Sequence, residues 1–191
     1  MSVNDKKLKQ NFWKTLIYAL VLNANFYENA RNTPKTHQLA LTIVIMAALS
    51  HALGSGVILL INRATLPVLF LGLLIDAFSI VIGYYFWTFT IWKIGQWLKP
   101  IDPTYGDLLS PIGFAYAPQV LNFLTVIPVL GRPIELILAV WSLLAVIVAV
   151  REGLDISTNR AAIICLLGWP LIQIAVGLLQ VTEQQLIKYL T

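Results

Sequence analysis

Residues 66–92 read LPVLFLGLLIDAFSIVIGYYFWTFTIW, an apolar run whose only charged side chain is Asp76. An α-helix rises 1.5 Å per residue, so about 20 residues cross the ~30 Å hydrocarbon core of a bilayer. This run exceeds that length and is expected to tilt. A helix apolar on every side is either buried in a large core or a membrane span.

Working outward, residues 39–61 precede this run, and residues 108–130, 134–150 and 161–181 follow it. Each is long enough to span, with 134–150 at the lower end of the range. The expected fold is all-α: a polytopic membrane helical bundle of five transmembrane helices with an N-terminal amphipathic interfacial helix. Two parts follow, a basic N-terminal segment (1–37) and the membrane domain (38–191). Composition agrees. The chain is 58% hydrophobic and 12% charged, with a mean hydropathy of +0.78. That leaves too little polar surface for a soluble globule.

The breaks between runs carry helix punctuation. Asn62, Arg63, Ala64 and Thr65 followed by Pro67 read as a stop, a cap and a first-turn proline. Pro100 and Pro103 end the second run, and Asp107 suits the N-cap of the next helix. Pro128, Gly131 and Pro133 predict a tight hairpin, and Ser157, Thr158 and Asn159 offer caps for the last span. Turns this short make consecutive helices antiparallel neighbours.

Lysine and arginine orient the bundle. Lys6, Lys7, Lys9, Lys14, Arg31, Lys35, Lys93, Lys99, Arg151 and Arg160 fall on one side, against Arg63, Arg132 and Lys188 on the other. This is a positive-inside asymmetry, which places the N-terminus in the cytoplasm and the C-terminus on the opposite side. The net charge of +4 follows from that rule and implies no nucleic-acid partner.

Within residues 1–37, a helical winding puts Phe12, Trp13, Leu16, Ile17, Leu20 and Val21 on one broad face. That segment is too short to span and reads as an amphipathic helix on the cytoplasmic leaflet. Lys6, Lys7, Lys9 and Lys14 would face anionic headgroups, each worth about 1 kcal/mol. A signal peptide is the competing reading, but Lys14, Thr15 and Tyr18 crowd its apolar core.

Two ionisable residues fall inside the spans, where such groups are costly. His51 and Asp76 lie at matching distances from the first turn, about 15 Å into an antiparallel hairpin at 1.5 Å per residue. They form a candidate intramembrane polar pair, either a bond that holds the hairpin or a proton-responsive site. Pro118 and Pro170 should kink the third and fifth spans. Trp87, Trp92, Trp97, Tyr84 and Tyr85 read as an interfacial aromatic belt. Ala48, Ala52 and Gly56 have the spacing of close helix packing.

No catalytic, cofactor-binding or metal-ligating set emerges. His37 and His51 belong to no His-Glu-x-x-His motif, and Ser110, Ser142 and Ser157 lack a glycine-flanked nucleophile turn. Asp102, Asp107, Glu152 and Asp155 read as caps and loop charges. The single cysteine, Cys165, has no partner for an internal disulfide.

The segment Gly106-Asp107-Leu108-Leu109-Ser110-Pro111-Ile112-Gly113-Phe114-Ala115-Tyr116-Ala117-Pro118 resembles the entry to the third span of Yip1-domain membrane proteins. Trp141, the Arg151-Glu152-Gly153-Leu154 exit and Ile156-Ser157-Thr158-Asn159-Arg160-Ala161 are similar to that family too. The Asp-Leu-Tyr-Gly-Pro signature of eukaryotic members is missing ahead of the first span, which suits a bacterial-type member. The resemblance implies five spans with a cytoplasmic N-terminus. It also implies a non-enzymatic membrane organiser, trafficking or complex-assembly factor, working through lipids and a membrane-protein partner or a second copy. The alternative is a small transporter or proton-responsive channel built on His51 and Asp76.

Overall fold

The computed structural model describes residues 3–30, 33–61, 63–98 and 104–171, with side chains from residue 12 onward. Every regular element among them is helical. Helix α1 (Val3–Leu20) and the short α2 (Ala24–Glu28) lead into α3 (Pro34–Ile61) and α4 (Leu66–Leu98). Helix α5 (Tyr105–Phe114) and a 3-10 helix (Ala117–Val126) precede α6 (Gly131–Leu154). A last helix, α7, occupies 158–171. Among the described residues, α3, α4 and α6 are long and apolar enough to cross a membrane. The fifth predicted span begins as α7 and continues outside the described residues.

The third predicted span is where winding departs from expectation. Residues 108–130 do not form one helix. Helix α5 stops at Phe114, Ala115 and Tyr116 turn, and the chain resumes in 3-10 form. Pro118 sits in the first turn of that segment, where a missing N–H costs nothing. Its bonds then run three residues back, with Gln119 N donating to Tyr116 O (2.9 Å) and Ile127 N to Leu124 O (3.1 Å). Asp107 is not an N-cap either. Thr104 takes that place with extended backbone, and Asp107 reaches back from the third position to the Thr104 N–H (3.1 Å) and hydroxyl (2.6 Å). The two residues divide a capping box between them.

Successive elements from α3 to α6 pack as neighbours. Gly56 of α3 sits against Leu73 of α4, the Tyr84 hydroxyl donates to Leu109 O across α4 and α5 (2.8 Å), and Gln119 reaches Ser142 across the 3-10 helix and α6 (2.7 Å). Small side chains make the close approaches. Ala40, Ala47, Ala48, Ala52, Gly54 and Gly56 are all buried on α3, as small-residue packing between membrane helices requires. A Cβ on Gly131 would stand 2.2 Å from Thr125 O, so only glycine lets α6 start this close to the 3-10 helix.

Three helices end in one way. Leu22 (φ 55°), Arg63 (φ 56°) and Asp155 (φ 49°) take the left-handed conformation just past α1, α3 and α6. The bonds Asn23 N to Tyr18 O, Ala64 N to Leu59 O and Ile156 N to Arg151 O close each end. This is the Schellman arrangement, which glycine usually serves. Arg151 also donates to Thr158 Oγ1 (3.4 Å), joining the end of α6 to the start of α7.

The aromatic belt divides. Tyr84 and Trp87 are core residues, whereas Trp97 is 84% exposed and Trp92 carries Lys93 Nζ 4.3 Å from its ring centre. The apolar face expected on α1 divides too. Leu16 and Ala19 are buried with Phe12 and Leu20 packed beside them, while Trp13, Ile17 and Val21 are exposed.

Candidate functional site

The densest polar cluster inside the bundle is built on the 3-10 helix. A 3-10 helix has three residues per turn, so side chains three apart eclipse. Gln119, Asn122 and Thr125 have that spacing and stand in one row. In an α-helix, at 100° per residue, each member would drift about 60° from the one before.

The row is bonded along its length and to α6. Thr125 Oγ1 donates to Asn122 O (2.7 Å), Asn122 Nδ2 to Gln119 Oε1 (2.5 Å), and Gln119 Nε2 to Ser142 Oγ (2.7 Å) and, at greater length, to Leu138 O (3.4 Å). On the α3 side the Phe123 N–H donates to Ser50 Oγ (2.8 Å). Gly54 lets this face come close, because a Cβ there would lie 3.3 Å from Thr125 Oγ1. Gln119 ties the 3-10 helix to α6, and the Phe123 N–H ties it to α3. Backbone that departs from α-helix at membrane depth is tolerated only where protein surrounds it, and Ala117, Pro118 and Asn122 are buried.

His51 adjoins Ser50 in sequence but not in this network. By its rotation about α3 it falls on the same arc as Ala40, Val44 and Ala47, which are buried, yet His51 itself is exposed. Asp76 is half-buried on α4. The Gly56–Leu73 contact puts the two residues within about 3 Å of the same depth at 1.5 Å per residue. Among the described residues, no direct hydrogen bond or ion pair joins them. Pro118 lies buried at the start of the 3-10 helix, and Pro170 is exposed near the end of α7 as described. Lys14 is exposed on α1. The side chains of Lys6, Lys7 and Lys9 lie outside the described residues. No group of three or more His, Cys, Asp and Glu among the described residues stands close enough to hold a metal ion.

The Gly106–Pro118 segment covers α5 and the break after it. Phe114, Ala115, Ala117 and Pro118 are buried there, and Gly113 abuts Ala40. The family model of the Yip1 domain matches residues 19–179. The chain belongs to the Yip1 domain family. No curated protein and no solved structure matches it. The Yip1 match starts near the end of α1, so it takes in the α1–α2 turn as well as the bundle.

Proposed function

We propose that this Yip1-domain protein is a non-enzymatic membrane organiser, serving trafficking or complex assembly through helix and lipid contacts. In this reading the chain crosses five times, with α5 and the 3-10 helix in series as the third crossing. The N-terminus is cytoplasmic, the C-terminus is opposite, and α1 is the amphipathic helix that meets anionic lipid. A membrane-protein partner or a second copy takes the helix faces.

One observation carries the reading. The side chains best suited to line a polar path, Gln119, Asn122, Thr125, Ser50 and Ser142, are spent on bonds within the bundle. Much of what remains uncovered is apolar: Leu49 and Leu53 on α3, Phe70, Leu74, Phe78 and Ile82 on α4, and Leu136, Ile137 and Val140 on α6. Surfaces of that kind work by contact with lipid or with other membrane helices. Photo-crosslinking residues placed at Phe70, Leu74 and Phe78 in native membranes test this. Discrete protein adducts or self-adducts are expected, and uniform lipid adducts at all three would reject a protein partner on that face.

The second reading, a transporter or proton-responsive channel, is favoured by the exposure of His51 on an otherwise buried arc at about the depth of Asp76. Proton flux into liposomes separates the two. Flux that Asp76→Asn abolishes establishes the second reading, and flux no greater than in empty liposomes rejects it.

A further inference from the structure

The C-terminal end of α1 is finished as a helix end in water need not be. Ile17 O accepts from Val21 N (2.9 Å), and Tyr18 O accepts from Asn23 N (3.1 Å). Ala19 O accepts from Leu22 N (3.2 Å) and from the hydroxyl of the buried Tyr27 (3.2 Å). Leu20 O accepts from the indole N–H of Trp141 (2.9 Å), far along the chain in α6. The last carbonyls of a helix are met by a capping turn, by side chains or by water. Here each has a protein donor, and the turn holds Leu22 in a left-handed conformation that costs about 1–2 kcal/mol for a side chain of this kind. The same turn also ends α3 and α6; what sets α1 apart is that Ala19 O and Leu20 O are taken by the side chains of Tyr27 and Trp141, the pairing that buried backbone requires.

Depth follows from Trp141. It stands about 15 Å from one end of α6 and about 20 Å from the other at 1.5 Å per residue. Beside this end of α1, Trp13 (58% exposed), Ile17 (55%) and Val21 (64%) form a stripe at four-residue spacing, next to the arc that docks on the bundle. Asn23 then caps α2 through its side chain (3.0 Å to Phe26 N). Phe26 packs on Phe114 at 4.9 Å, and the exposed Glu28 and Asn29 lead the chain back toward the start of α3.

We propose that α1 and α2 form a re-entrant hairpin in the leaflet on the N-terminal side. Helix α1 dips obliquely rather than lying flat, and Trp141 fixes its tip near the middle of α6. The Trp13–Ile17–Val21 stripe lies against acyl chains of that one leaflet, Lys14 meets headgroups at the shallow end, and α2 returns the chain. The partner is lipid, and the proposal rests on the reading of α6 as a crossing helix.

Depth-resolved spin labelling tests it. Nitroxides are attached to Trp13→Cys, Ile17→Cys, Val21→Cys and, as a reference on α6, Val140→Cys. The full-length protein is reconstituted in phosphatidylcholine–phosphatidylglycerol vesicles, and the parent protein reports any labelling of the buried Cys165. Collision with oxygen relative to a water-soluble nickel chelate should rise from 13 to 17 to 21, by at most about 6 Å of depth per step, with position 21 approaching Val140. Equal depth at the three sites describes a flat helix and overturns the proposal, as does a water-exposed 21 beside a lipid-exposed 140. A water-exposed 140 instead removes the crossing of α6, and the proposal with it. Trp141→Phe keeps an aromatic ring without the donor. It should move label 21 toward water and leave label 13 in place, and an unmoved label 21 overturns the anchoring role of Trp141.

Discussion

Gly113 of α5 lies so close to Ala40 of α3 that a Cβ added to it would stand 2.9 Å from the Ala40 methyl and 3.4 Å from its carbonyl carbon. Neither neighbour has a flexible end that can swing aside. Overpacking of this kind costs about 1–3 kcal/mol, and the helix propensity gained from alanine returns at most about 1 kcal/mol. Gly113→Ala should therefore lower stability by about 1–2 kcal/mol. Unfolding in mixed micelles measures it. Adding Ala40→Gly should restore part of the loss, which a defect unrelated to this contact would not allow.

The polar row makes a graded prediction. Bonds between membrane helices average about 0.6 kcal/mol and reach about 1.7. Thr125→Val removes one bond within the 3-10 helix and should cost about 0.5–1 kcal/mol. Gln119→Leu strips partners from Asn122 and Ser142 at once and should cost about 1–2 kcal/mol. Because Gln119 and Ser142 share a bond, Gln119→Leu with Ser142→Ala should lose less than the two single changes summed.

His51 and Asp76 should behave independently. With no direct bond between them, a double-mutant cycle on His51→Leu and Asp76→Asn should be additive within about 0.3–0.5 kcal/mol. A coupling of 1 kcal/mol or more in detergent would mean that the hairpin closes on this pair in solution.

Arg63 offers a gain. It holds φ 56° just past the C-terminal end of α3 and is exposed. Glycine removes the left-handed penalty of about 1–2 kcal/mol, less its own entropic cost of about 0.5–1 kcal/mol. Arg63→Gly should raise stability by about 0.5–1 kcal/mol, read as a higher unfolding midpoint with an unchanged denaturant slope.

Orientation is checked with reporter fusions after Arg63, Lys99, Arg132, Arg160 and Thr191. They should alternate between the two sides of the membrane, starting opposite the N-terminus. Two neighbouring fusions on the same side would remove a crossing.

How much of this was legible varies residue by residue. Long apolar runs declare membrane helices because bilayer thickness sets a length that few soluble helices meet, and α3, α4 and α6 followed from that. Pro118 marked a disturbance in the third run. The 3-10 winding beyond it eclipses Gln119, Asn122 and Thr125, but residues three apart also neighbour each other on an α-helix, so their spacing alone does not announce it. Trp141 and Leu20 had no signal either, since 121 residues separate them and neither has a local reason to seek the other. The capping role of Asp107 turned on which residue adopts extended backbone. Thr104 does (φ −73°, ψ 149°), and both types serve well at that position.

The 3-10 helix also sets a length. Its ten residues rise about 2.0 Å each and cover about 20 Å, where α winding would cover about 15 Å. Rewinding Ala117–Val126 would shorten this stretch by about 5 Å without adding or deleting a residue. Mismatch with bilayer thickness costs fractions of a kcal/mol per Å, a scale comparable to the bonds of the polar row. The hydrogen bonds that tie this segment to α3 and α6 hold one stretch of the chain at its longer setting, and in the proposed third crossing that setting selects a thicker membrane.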